Sequence, residues 1–64
     1  MRMITIQTAI FSHLSDAQEA MGFGDLAKAN LHINFAKKLL VEYPDTFESI
    51  SIEELDMIWN EILP

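Results

Sequence analysis

Gly22-Phe23-Gly24-Asp25-Leu26-Ala27-Lys28-Ala29-Asn30-Leu31-His32-Ile33-Asn34-Phe35-Ala36-Lys37-Lys38-Leu39-Leu40-Val41-Glu42-Tyr43-Pro44 is a helix with its punctuation attached. Glycines at 22 and 24 close whatever precedes it, because glycine accepts the left-handed conformation that ends a helix. Asp25 can cap the next helix, and its charge suits a helix N-terminus. Pro44 stops that helix, since proline lacks the N–H and clashes with the preceding turn. The helix is therefore predicted over about 26–43. Its apolar residues fall in two stripes. Leu26, Ala29, Ile33, Ala36, Leu40 and Tyr43 form one, and Leu31, Phe35 and Leu39 the other. Together they cover roughly 220° of the helix, about twice an ordinary one-sided stripe. Such a helix needs cover on two sides. One cover is the preceding helix, and the other is a third helix or a second chain.

Working outward, a first helix is predicted over about 5–21. Thr5 can cap it, with Ile4 placed to pack on Ala9. Ile6, Ala9, Ile10, His13, Leu14, Ala17, Ala20 and Met21 share one face at helical spacing. Residues 1–6 also alternate, which allows a short extended arm instead. On the other side, 44–50 reads as a linker with room for one turn at 45–48. Ser51-Ile52-Glu53-Glu54 then reads as a capping box that opens a third helix over about 52–63. The expected fold is one all-α domain over 1–64: an antiparallel hairpin and a shorter C-terminal helix. In the hairpin seam, Leu26, Ile33, Ala36 and Leu40 are expected against Ile6, Ile10, Leu14 and Ala17.

Residues 9–44 resemble a single tetratricopeptide-repeat hairpin. Gly24-Asp25 stands at the turn, Ala29, Ile33 and Ala36 match the small–large–small spacing of the second helix, and Ala17 and Ala20 stand at the small positions of the first. The pattern departs at Pro44, three residues late, and at His13, where a large aromatic is usual. There is one unit, whereas such repeats stack in about threes. The resemblance implies a helical hairpin and a protein-binding role, and carries over no functional residue.

Composition limits what such a domain can do. At 64 residues with no cysteine, it has neither disulfides nor the usual ligands of structural zinc. Domains this short seldom gain more than a few kcal/mol from one core and usually carry a staple. With 50% apolar residues, the expected staple is a second copy of the chain. The net charge of −6 opposes direct binding to nucleic-acid phosphates or an anionic membrane surface. That charge is uneven. Residues 1–41 hold three acids against four bases, whereas 42–64 hold seven acids and no base. The N-terminal stretch lacks the apolar core of a signal peptide, and no apolar run approaches the roughly 20 residues of a membrane span. The expected location is cytoplasmic.

Candidate chemistry is confined to His13 and His32. Each sits in an apolar arc, and an antiparallel hairpin brings them to a similar level. They are read as histidines satisfied at a core edge, not as metal ligands, for want of an evident third and fourth partner. No nucleophile motif or glycine-rich phosphate loop is present, and no catalytic, metal-binding or cofactor-binding residue is assigned. The chain is read as non-catalytic.

The expected function is a small acidic protein-interaction module that homodimerises. Its candidate interface is Leu31, Phe35, Leu39, Trp59 and Ile62, a Trp-centred group of the kind that dominates binding energy. The alternative rests on an acidic face of Asp45, Glu48, Glu53, Glu54, Asp56 and Glu61. Duplex DNA carries about one charge per 1.7 Å of axis, and acids on helices can approach that density. In outline the chain then resembles small acidic helical inhibitors made by phages, which block a nucleic-acid-binding protein by imitating DNA.

Overall fold

The computed structural model describes residues 2–64. It is an all-α domain with a small ribbon: β1 (Met3–Thr5), α1 (Ile6–Gly22), α2 (Leu26–Glu42), β2 (Ser49–Ser51) and α3 (Ile52–Ile62). The three helices lie within a residue or so of their expected bounds, because each carries its own cap. Thr5 Oγ1 accepts from Thr8 N, Asp25 Oδ1 from Lys28 N and Ser51 Oγ from Glu54 N, each at 3.0–3.1 Å.

The α1–α2 turn is tight because one glycine does what no other residue does cheaply. Gly24 has φ of +76°, the only positive φ among the described residues. Around it, Gly24 N donates to Met21 O at 3.0 Å and Asp25 N to Ala20 O at 2.9 Å. That pair of bonds is a Schellman closure, which satisfies carbonyls the helix end would leave open. Asp25 therefore ends one helix with its amide and starts the next with its carboxylate. Gly22 is the last residue of α1 and needs no unusual conformation.

The ribbon is the element that periodicity did not place. β1 and β2 pair antiparallel, with Met3 opposite Ser51, Ile4 opposite Ile50 and Thr5 opposite Ser49. Residues 2–5 thus form the extended arm, while Met1 lies outside the described residues. The pairing continues into the start of α1. Ile6 N donates to Glu48 O at 2.9 Å and Gln7 N to Thr46 O at 2.8 Å. The first amides of a helix have no partner within it, and here the linker carbonyls satisfy two of them. The expected turn at 45–48 is present, with Glu48 N donating to Asp45 O and Phe47 N to Asp45 Oδ1. Ribbon and turn together fold the linker back, so that α3 lies on one side of the hairpin.

The core corrects the expected roles of the two α2 stripes. Ile6, Ala9, Phe35, Leu39, Ile50, Leu55 and Ile58 form the main buried cluster, with Ile4, Ile10, Tyr43, Trp59 and Ile62 packed on it. Near the turn, Ala17, Ala20 and Ala29 close the seam, with Ile33 against them. Phe35 and Leu39 are fully buried, so they do not belong to an interface with another molecule. Leu26, Leu40 and Leu14, expected in the seam, are instead exposed by 66%, 47% and 47%. The reason is the size of the seam residues. Alanines at 17, 20, 29 and 36 bring the two backbones close, and large side chains beside them are pushed to the flanks. One flank is filled by α3. The other is left open.

Candidate functional site

Two features of this fold qualify as sites: a histidine–aromatic cluster between the helices, and the flank of the hairpin that α3 does not reach.

His13 sits in the middle of α1 and His32 in the middle of α2. The antiparallel hairpin sets them level, as their distances from the turn require. Their Nδ1 atoms are 2.8 Å apart, so one ring donates the shared proton and the other accepts it. Trp59, reaching over from α3, lies against both rings, with centroids 5.3 Å from His13 and 5.0 Å from His32 and tilts of 27° and 25°. Phe35, one turn along α2 from His32, closes the inner side at 4.3 Å from His13. His32 is buried and His13 half-buried. Burial, the first cause, holds the His13 pKa below the ordinary 6.5, and a neighbouring charge on His32 lowers it further. Asp16 acts in the opposite direction.

Asp16 follows His13 by one helical turn and lies on the α3 side of α1. One ligand atom each from His13, Asp16 and His32 falls within 4.8 Å of the others. Sequence reading found the two histidines and their common level, but passed over this third group. The signal was present as His13-Leu14-Ser15-Asp16, an i, i+3 spacing that puts two side chains on one face. Asp16 is exposed, and a shallow cleft lined by Asp16, Glu19, Phe23, Asp25 and Lys28 opens beside it.

The expected interface group does not form one exposed patch. Leu31, Trp59 and Ile62 are half-buried, and Trp59 and Ile62 pack onto the core that contains Phe35 and Leu39. These five residues belong to the side of α2 on which α3 lies. The second site is on the opposite flank. At 100° per residue, Leu14 and Met21 project from one edge of the α1 core face, and Leu26, Ile33 and Leu40 from one edge of the α2 core face. Because the helices run antiparallel, both edges point away from α3. Leu14, Met21, Leu26 and Leu40 are each exposed by 47–66%, and Ile10 and Ile33 are half-buried among them.

The candidate acidic residues Asp45, Glu48, Glu53, Glu54, Asp56 and Glu61 are all exposed. Glu54 accepts from the Tyr43 hydroxyl at 3.1 Å. The ion pair among the described residues is Lys38–Glu42, so no base neutralises these six. No helix among the described residues is long and apolar enough to cross a membrane.

The chain matches no family model, no curated protein and no solved structure.

Proposed function

We propose that this chain is a non-catalytic protein-interaction module that docks through the open flank of the α1–α2 hairpin, and that the occupant is a second copy of itself. The carrying observation is the row Leu14, Met21, Leu26 and Leu40, exposed on one side of two packed helices beside the half-buried Ile10 and Ile33. Apolar faces of this kind are rarely left to water unless something covers them.

Area and charge both favour self-docking. Helices of 17 residues are about 25 Å long, and two of them side by side at an axial spacing of about 9 Å present a face of roughly 450 Å². A twofold axis sets the same patch against itself. It then buries roughly 900 Å² in total, just under the roughly 1,000 Å² of a stable specific interface and in the range of a weak one. The seven acids of residues 42–64 lie in the linker, in α3 and at the end of α2. The hairpin up to residue 41 carries a formal +1. Two copies can therefore meet flank to flank with most of their negative charge kept apart.

Light scattering and thermal melts over a range of concentrations test this reading. The expected mass is twice 7.3 kDa at high micromolar concentration, with a melting temperature that rises with concentration. Leu26→Asp, at a site already two-thirds exposed, should give a folded monomer, whereas Asp56→Ala should leave the dimer intact. A monomer mass at high micromolar concentration, with melting unchanged on dilution, would remove the proposal.

The unpaired, exposed acids support a second reading, an acidic inhibitor that occupies the nucleic-acid site of another protein. Capture from lysate of a nucleic-acid-binding protein, lost at high salt and on neutralising Glu53, Glu54, Asp56 and Glu61, would favour it over the homodimeric module.

A further inference from the structure

We propose that His13, His32 and Asp16 form a binding site for one divalent transition-metal ion of the zinc class. The site joins the two long helices of the hairpin and is independent of what covers the open flank.

The geometry starts from the two Nδ1 atoms, which point at each other across 2.8 Å. A zinc ion bound at about 2.05 Å by two imidazoles in tetrahedral geometry holds their nitrogens about 3.3 Å apart. Opening the pair by about half an ångström, within reach of small rotations of two rings, makes room for the ion. A carboxylate oxygen of Asp16 and one ring nitrogen of each histidine already lie within 4.8 Å of one another, and the exposed Asp16 side chain can turn toward the pair. No ion pair engages it among the described residues.

Two imidazole nitrogens and one carboxylate oxygen are a donor set for zinc, cobalt, nickel or copper, and a poor one for magnesium or calcium, which take oxygen ligands. Three protein ligands leave the fourth position for water, and Asp16, the exposed ligand, is the side from which solvent reaches the site. Trp59 and Phe35 wall the other sides with carbon. They hold the rings in place and lower the dielectric around them. Ion binding would put a bond to each Nδ1 where the two histidines share one proton, the donor ring then carrying that proton on its Nε2. It would thereby clamp α1 to α2 at mid-height, in a chain too short for a large core and free of cysteine. His32 is buried with an imidazole as its polar partner, and the third ligand comes one turn from the first.

The test is calorimetric titration of the chelator-treated protein with zinc, with cobalt absorption as the report on geometry. One ion per chain is expected, with a visible tetrahedral cobalt band and a melting temperature that rises with stoichiometric zinc. Excess magnesium should not compete. Asp16→Asn changes an exposed residue and leaves the fold intact, so it should bind zinc at least tenfold more weakly with an unchanged far-ultraviolet spectrum. His13→Gln should abolish binding. Trp59 is the only tryptophan, and its fluorescence should be quenched by one equivalent of copper. Absence of saturable binding would overturn the proposal. So would binding that survives both substitutions, which would place the ion on the acidic C-terminal third.

Discussion

Replacing Phe35 by alanine separates the observed core from the alternative in which Phe35 faces a second molecule. Phe35 is fully buried, touching the His13 ring on one side and meeting Trp59 edge-on at 5.3 Å on the other. Truncating a buried phenylalanine costs about 3–5 kcal/mol, from lost transfer energy and the cavity left behind. A chain of this length has roughly 3–10 kcal/mol of stability in all. Phe35→Ala should therefore consume most of it and leave a substantial unfolded fraction at room temperature. Leu40 lies five residues further along the same helix, on a different face, and is 47% exposed. Half the apolar area of a leucine stands to be lost there, with little cavity, so Leu40→Ala should cost about 1 kcal/mol. The measurement is urea denaturation followed by circular dichroism, at protein concentrations low enough for both variants to be monomeric. Equal costs at the two positions, or a Phe35→Ala protein as stable as the parent, would refute this assignment of the α2 faces.

Stability should fall with acid, in chelator-containing buffer, because burial in the folded state disfavours the charged form of His13. The His13 pKa is lowered by burial and by His32, partly offset by Asp16; Trp59 and Phe35, which face it from the other elements, carry no charge. As pH drops below about 6.5 the unfolded chain takes up a proton that the folded chain refuses. This contribution is complete above pH 6.5 and is lost as pH falls toward the lower folded value. His13→Gln should flatten the dependence of the urea midpoint between neutral and mildly acid pH, whereas a parent midpoint that rises on acidification would be contrary to the assignment. Gly24→Ala should destabilise by about 1 kcal/mol or somewhat more, since a side chain at φ of +76° meets the backbone even though the space around Gly24 is open. An unchanged melting temperature for that variant would mean that the turn is not closed as described.

The parts of the fold that were legible in the sequence are those written locally. Thr5, Asp25 and Ser51 each mark a helix start by a bond to an amide three residues on, and Gly24 and Pro44 mark ends by what their backbones permit. The ribbon was legible only in part: the alternation at residues 1–6 allowed an extended arm, but nothing local marked 49–51 as its partner, and Ile4 finds Ile50 forty-six positions away. Only the fold shows that the linker must supply carbonyls to the bare amides of Ile6 and Gln7. Trp59 and Ile62 were found as a group with Phe35 and Leu39 because spacing places them on single helix faces. Spacing alone does not say which of two apolar faces meets which neighbour.

That choice between faces is settled by volume, and it links the fold to both sites. A seam of alanines at 17, 20, 29 and 36 admits no large side chain, so the helices close on each other and their leucines splay to the sides. The flank bearing Phe35 and Leu39 receives α3, because the ribbon pulls the linker back along that side. The same side carries His13, His32 and Asp16, which is why Trp59 covers the two rings. The flank bearing Leu14, Met21, Leu26 and Leu40 receives nothing from the other described residues. Enlarging the seam should therefore disturb both sites at once. Ala29 is buried in contact with Ala17 and Ala20, and Ala29→Leu would force the helices apart, at a cost of about 1–3 kcal/mol. The Nδ1 atoms of His13 and His32 would separate with them. If Ala29→Leu were as stable as the parent, with the His13–His32 bond intact by nitrogen chemical shift, the alanine seam would not be what sets the spacing of the hairpin.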